Sequence, residues 1–179
     1  MTELEFEKAC RGTNAPMANE YAWGDTTISA TTSLSNDGTS TEAANAGNCN
    51  YNNCSPDGPY RAGIYATGSS TRQSSGASYW GIMDLSGTLW KRPVTVGNST
   101  GRGFTGTNGD GQLSATGDAN VTGWPGTDCV GAGLRGGNYD ALDVDQKVSK
   151  RQLAAYTFTG RYRYTGGGRA VRGASGIDP

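Results

Sequence analysis

The sequence predicts an α+β domain that is mostly irregular loop, with one short helix near its start and a few short strands. Three observations predict it. Glycine makes up 29 of the 179 residues, about 16% where an average protein has about 7%, which disfavours long helices and favours tight turns. Four Trp, nine Tyr and three Phe supply apolar area that a solvated chain seldom carries, so the chain folds rather than staying disordered. A single capping box marks a helix start, and the other apolar residues come in short runs. The length suits one domain over residues 1–179, since a single core of roughly 100–200 residues is the usual unit.

The helix comes first. Thr2 followed by Glu5 forms the capping box: the hydroxyl takes the amide three residues on, and the carboxylate returns to the Thr2 amide. Leu4, Phe6, Ala9 and Cys10 supply an apolar face, and Gly12 after Arg11 is a suitable stop. From Asn14 to Gly76 the chain is rich in Ser, Thr, Asn, Gly and Ala, with anchors at Tyr21, Trp23, Tyr51, Tyr60, Ile64 and Tyr65. That stretch reads as long loops pinned by aromatics. The densest apolar run, Tyr79 to Trp90, is the expected core, with Trp80 and Trp90 filling space between loops. Val94-Thr95-Val96 alternates as a strand does. Residues 98–126 return to polar loop, with Phe104, Leu113, Val121 and Trp124 as expected plugs. Leu134 to Tyr139 reads as a strand leaving a tight Gly turn, and Gly168 to Arg172 as a final strand. No fixed-period repeat is present, so the glycine content signals no solenoid or collagen-like array.

Composition also narrows the chemistry. With no His in the chain, Ser-His-Asp and Cys-His nucleophiles and imidazole-based zinc sites are excluded. A formal net charge of −1 and 17% charged residues leave no broad basic field, so no nucleic-acid partner is expected. No apolar run is long enough to insert into a membrane, and the acidic start Met1-Thr2-Glu3-Leu4-Glu5 lacks the basic and then apolar pattern of an export signal. The abrupt opening on a helix carries the expectation that the chain is the C-terminal part of a longer protein.

Four cysteines permit three pairings. Proximity favours Cys49 with Cys54, whose closure stabilises a domain by roughly 2 kcal/mol when unstrained. The alternative is four reduced thiols, with Cys10 a small buried hydrophobe. Asn108, Asp110, Asp118 and Asn120 cluster in Gly-rich sequence and could offer oxygens to calcium, although such residues also build ordinary turns.

Several blocks together resemble a known family. Thr2-Glu3-Leu4-Glu5-Phe6-Glu7-Lys8-Ala9-Cys10-Arg11-Gly12, followed by Tyr21-Ala22-Trp23-Gly24, resembles the helix-and-loop signature of the formylglycine-generating, sulfatase-modifying enzymes. Trp80-Gly81-Ile82-Met83-Asp84-Leu85-Ser86-Gly87-Thr88-Leu89-Trp90 is similar to that family's Gly-(Leu/Val)-(Tyr/Met)-Asp-(Met/Leu)-Ser-Gly-Asn-Val-Trp-Glu block. Leu134-Arg135-Gly136-Gly137-Asn138-Tyr139 resembles its Arg-Gly-Gly-Ser-Trp, and Gly168-Arg169-Ala170-Val171-Arg172 its closing Gly-Phe-Arg strand. The resemblance spans Thr2 to Arg172 and implies the C-type-lectin-like fold, an irregular α+β domain with small twisted antiparallel sheets.

The departures from the pattern direct the functional expectation. The enzymes use a C-terminal cysteine pair that binds copper, whereas the last cysteine here is Cys129, before the Arg135-Gly136-Gly137 turn. The usual calcium-ligand positions hold Thr88 and Lys91, and an ammonium cannot ligate a cation. The related sulfoxide synthases need a His-based iron site. No cofactor is therefore expected, and the resemblance falls to the non-catalytic variable proteins of diversity-generating retroelements. These carry a variable ligand-binding stretch between the Arg-Gly-Gly turn and the final strand, here residues 138–167. The implied setting is a phage virion or bacterial cell surface, and the implied partner a protein or glycan on a cell.

Within that segment Asp140, Leu142, Asp143, Gln152, Leu153, Tyr156, Phe158, Tyr162, Arg163 and Tyr164 mix acidic, aliphatic, aromatic and basic types without clean periodicity. Such mixtures suit recognition, because Tyr and Arg give large contact area and hydrogen bonds. Asp140 to Asp145 and Arg161 to Tyr164 would form patches of opposite character. A structural alternative buries Tyr156, Phe158 and one of Tyr162 or Tyr164. Adenine mutagenesis at the usual template codons cannot yield Gln or Lys, so Lys147, Lys150 and Gln152 are fixed positions or hypermutation does not act on this copy. Two other functions stand beside the binding module: a copper oxidase relative, which would need C-terminal thiols, and a structural virion or surface decoration domain.

Overall fold

A computed structural model describes residues 1–106, 112–116, 119–121, 123–126, 128–156 and 166–167. Regular structure is sparse. Helix α1 spans Glu3–Arg11. Strands β1 (Leu34–Ser35) and β2 (Ala43–Ala44) pair antiparallel, with Leu34 opposite Ala44. Strand β3 (Trp90–Lys91) pairs with β4 (Gly166–Gly167), and helix α2 (Ser99–Arg102) and a 3-10 turn (Asp143–Gln146) lie between them. The β3–β4 pair is parallel, which departs from the expected antiparallel sheets.

Helix α1 starts and stops where the sequence places it. The Thr2 hydroxyl accepts from the Glu5 amide at 3.2 Å, and Glu5 accepts from the Thr2 amide at 2.6 Å. Gly12, at φ +61°, donates to the Lys8 carbonyl. The buried face differs from the expected one. Glu3, Phe6 and Cys10 are buried, while Leu4 is 62% exposed. Residues 3, 6 and 10 share one face at helical spacing, and Leu4 falls off it.

Around α1 the chain forms a short, irregular ladder. The Lys91 and Arg135 backbones exchange both hydrogen bonds at 3.0 Å, Gly133 donates to Pro93, Val94 donates to Met1, and Glu3 donates to Val94. Val94 bridges both Thr2 and Ala132, so the expected 94–96 strand is reduced to one bridging residue. Pro93 lacks an amide proton and cannot extend the ladder as a regular strand. The expected 134–139 strand likewise reduces to the bridge at Arg135.

The core gathers Phe6, Cys10, Tyr21, Ala22, Trp23, Cys49, Leu85 and Val148, with Tyr21 stacked on Trp23 at 5.1 Å. Cys54, Tyr60, Ile64 and Tyr65 form a second cluster under the 14–76 loops. The aromatic anchors thus pin those loops as expected. The 79–90 run is less central than expected. It contributes Leu85, but Tyr79 is 38% and Trp80 57% exposed. Trp80 instead covers the end of α1, its indole donating to the Lys8 carbonyl at 3.3 Å. Among the expected plugs, Phe104 meets Trp124 edge-on at 5.2 Å, whereas Leu113 is 66% exposed.

All four cysteines are free thiols, so the Cys49–Cys54 pairing is not made. The two side chains belong to different clusters: Cys49 donates to the Ser86 carbonyl and Cys54 to that of Tyr51. Asn52 and Asn53 between them are both left-handed, and the Cys54 thiol lies 4.0 Å from the Cys49 carbonyl.

Candidate recognition groove

The segment after the Arg135-Gly136-Gly137 turn is held from beneath by two buried side chains. Arg135 is fully buried, with its guanidinium 5.2 Å over the Phe6 ring. It donates to Glu3 Oε1, to the Val148 carbonyl and, at 2.9 Å, to Glu7 Oε1. The other oxygen of Glu3 accepts from the Thr95 hydroxyl at 2.9 Å and the Val96 amide at 3.0 Å. Arg151 adds contacts to Glu3 and Glu7, and Arg11 joins Glu7 to Glu20. Burial pushes the Glu7 carboxyl up, but the hydrogen bond and charge of Arg135, with Arg151 and Arg11, pull it below its ordinary value. A buried carboxylate and guanidinium are tolerable here because each is paired and hydrogen-bonded.

The glycines of the turn are required by contact as well as by conformation. Gly136 sits at φ +77°, and a Cβ there would lie 2.1 Å from the Leu85 carbonyl oxygen. Gly137 sits at φ +67°, and its Cβ would meet Gln146 Oε1 at 1.9 Å. Gln146 is the second buried prop. Its amide nitrogen reaches the carbonyls of Asn138, Ala141 and Leu142 at 3.1, 3.3 and 3.1 Å. Neither Arg135 nor Gln146 stands out in the sequence as a prop. Arg135 is legible only as part of a motif, and a buried Gln leaves no periodic signal.

On these props the chain builds a groove of about 310 Å³. Leu134 and Leu153 meet through the Leu134 amide and the Leu153 carbonyl at 2.9 Å, and both line it. Trp90 from β3 lines it too, with Asn138, Asp140 and Ala141 from the loop and Tyr156 from the turn after Leu153. Three of the residues singled out from the sequence therefore converge: Asp140, Leu153 and Tyr156. Leu142, Asp143 and Gln152 are exposed nearby in sequence but do not line the groove. Tyr156 is 37% exposed, which removes it from the structural alternative that buries it. Phe158, Tyr162, Arg163 and Tyr164 lie outside the described residues, as do Arg161 and the 168–172 strand. Trp90 is the lining residue that sequence reasoning assigned to the core instead.

A second groove, of about 300 Å³, lies by Leu34, Glu42 and Pro56 to Arg61 and contains none of the singled-out residues. Thr88 and Lys91 are buried and engaged internally: Thr88 donates to Asp84 at 3.2 Å, and the Lys91 ammonium donates to the Gly87 carbonyl at 2.6 Å. Asn108, Asp110 and Asp118 of the other candidate calcium loop lie outside the described residues, and Asn120 is exposed. Among the described residues no group of three or more Cys, Asp or Glu could hold a metal ion, and no helix is long and apolar enough to cross a membrane. Burial pushes the Cys10 thiol up to about 12 and raises that of Cys49 further. Comparison of the chain with protein-family models, with curated proteins and with solved structures gives no match.

Proposed function

We propose that the chain is a non-enzymatic recognition module: a C-type-lectin-like scaffold, of the type found in variable proteins of diversity-generating retroelements, that displays residues 138–167 to a protein or glycan on a cell surface. The observation that carries this reading is the groove beside β3. There Asp140, Leu153 and Tyr156 converge on Trp90, while the backbone beneath them hangs on Arg135 and Gln146. Exposed side chains on an independently held backbone can be exchanged without disturbing the fold, which a variable surface requires.

Two further observations support binding over catalysis. The chain has no His, and Cys10 and Cys49 are buried and held protonated, whereas the reactive form of cysteine is the exposed thiolate. The same proposal puts the module on a phage virion or a bacterial cell surface.

The test is a displayed library randomised at Asp140, Leu142, Asp143, Gln152 and Tyr156, selected against immobilised purified proteins and glycans. The proposal expects folded clones that bind one target specifically and lose it when those five positions revert. A library whose folded clones yield no specific binder overturns it.

A further inference from the structure

The lining of the groove beside β3 specifies a ligand chemistry. Resting on the recognition reading above, we infer that the groove takes a cationic side chain, an arginine or lysine presented by a protein partner. The aliphatic stem lies against Leu134, Ala141 and Leu153, and the charged head meets the Asp140 carboxylate and the Trp90 and Tyr156 rings.

Charge argues first for this occupant. Among the described residues that line the groove, Asp140 is the one charged group, and it makes no ion pair with any described residue. The cations nearest it in the chain are engaged elsewhere. Arg135 and Arg151 pair with Glu3 and Glu7, Lys147 donates to the Asn19 side-chain oxygen at 3.3 Å, and Lys150 pairs with Asp145 at 3.2 Å. Among the described lining residues no cation would offset Asp140 before an anionic ligand.

Shape and polarity argue next. Apart from Asp140 the described lining residues are aliphatic or aromatic except for Asn138, which is 3% exposed and whose backbone carbonyl accepts from Gln146. A sugar ring needs several donors and acceptors around its edge, and among the described lining side chains only Asp140, the Tyr156 hydroxyl and the Trp90 indole N–H offer them outside the buried Asn138. An arginine or lysine pairs an apolar stem with a single charged tip, and aromatic rings add attraction for that tip. The volume of about 310 Å³ is at the small end of ligand pockets, which suits one side chain better than a docked helix.

The test titrates the full chain with Nα-acetyl-arginine methylamide, Nα-acetyl-norleucine methylamide and Nα-acetyl-glutamate methylamide, following the Trp90 indole and the Asp140 and Tyr156 amides by NMR. The arginine probe is expected to shift these signals saturably and to bind about tenfold more tightly than the norleucine probe, as befits a hydrogen bond to a charged group. Asp140→Asn is expected to remove that advantage, and Asp140→Lys to transfer it to the glutamate probe. Equal binding of the three probes, or an arginine preference unchanged in Asp140→Asn, overturns the cation assignment and leaves the recognition face standing. Silence of the groove signals toward every probe also overturns it, while the displayed library decides the recognition reading separately.

Discussion

Arg135 is the residue on which the fold turns. It joins α1, through Glu3 and Glu7, to the loop carbonyl of Val148, linking residues more than a hundred positions apart in the chain. The sequence shows Arg135 as part of an Arg-Gly-Gly motif but not its partner. Glu3 reads there as an ordinary acidic residue in a first helical turn, where it would face solvent and the helix dipole. Only the tertiary structure reveals that Glu3 is buried and Leu4 exposed. The network also has a pH signature. Glu7 has a folded-state value held below its ordinary 4.5, so its contribution to stability is fully present above about pH 4.5 and is lost as pH falls through the lower, folded-state value. Glu7→Gln is expected to lower stability at neutral pH and to flatten the acid limb of the stability profile below pH 4.5. Chemical denaturation across that range reads the slope, and an unchanged acid limb would contradict the role given to Glu7.

Among the elements, α1 was the most legible because its cap, stop and length are written locally. Thr2, Glu5 and Gly12 act as their side chains or lack of one dictate. The loop carrying the groove was legible as a segment but not as a structure. Its shape depends on Gln146, a single polar side chain reaching three carbonyls, and no periodicity announces such a contact. Gln146→Ala removes one donor from each of those carbonyls, which keep a backbone donor in the Ala141, Asn52 and Asp145 amides, so the cost is about 0.5–1.5 kcal/mol for each hydrogen bond lost. The loss is expected to be local: hydrogen exchange accelerates at the Ala141 and Asp145 amides, which donate within this turn, while amides of α1 stay protected. Uniform acceleration throughout the chain would mean that Gln146 supports the whole fold instead. The Cys49–Cys54 pairing failed for a related reason. Closeness in sequence says nothing of the separate clusters and separate carbonyl partners that the two thiols take.

At the scale of the molecule, composition points to a glycine-rich, aromatic-pinned chain with little helix, and among the described residues helix is confined to Glu3–Arg11, Ser99–Arg102 and the 3-10 turn at Asp143–Gln146. It did not foretell how the aromatics divide their work. Tyr21 and Trp23 form the core, Trp80 caps a helix end in contact with solvent, and Trp90 lines the groove. A Trp in an apolar run reads as core, and only its neighbours in space can say otherwise. The central claim is that a framework fixed by buried polar props carries a face that can change independently. Thermal unfolding of two variants tests it most directly: Arg135→Ala, and a combined Asp140→Ala, Leu142→Ala, Gln152→Ala and Tyr156→Ala chain. Breaking a buried ion pair costs about 3–5 kcal/mol, so Arg135→Ala is expected to lower Tm by about 10 °C. The fourfold face variant should stay within about 5 °C of the unsubstituted chain, since exposed positions contribute little individually. A face variant that melts as early as Arg135→Ala would contradict the separation of framework from recognition surface.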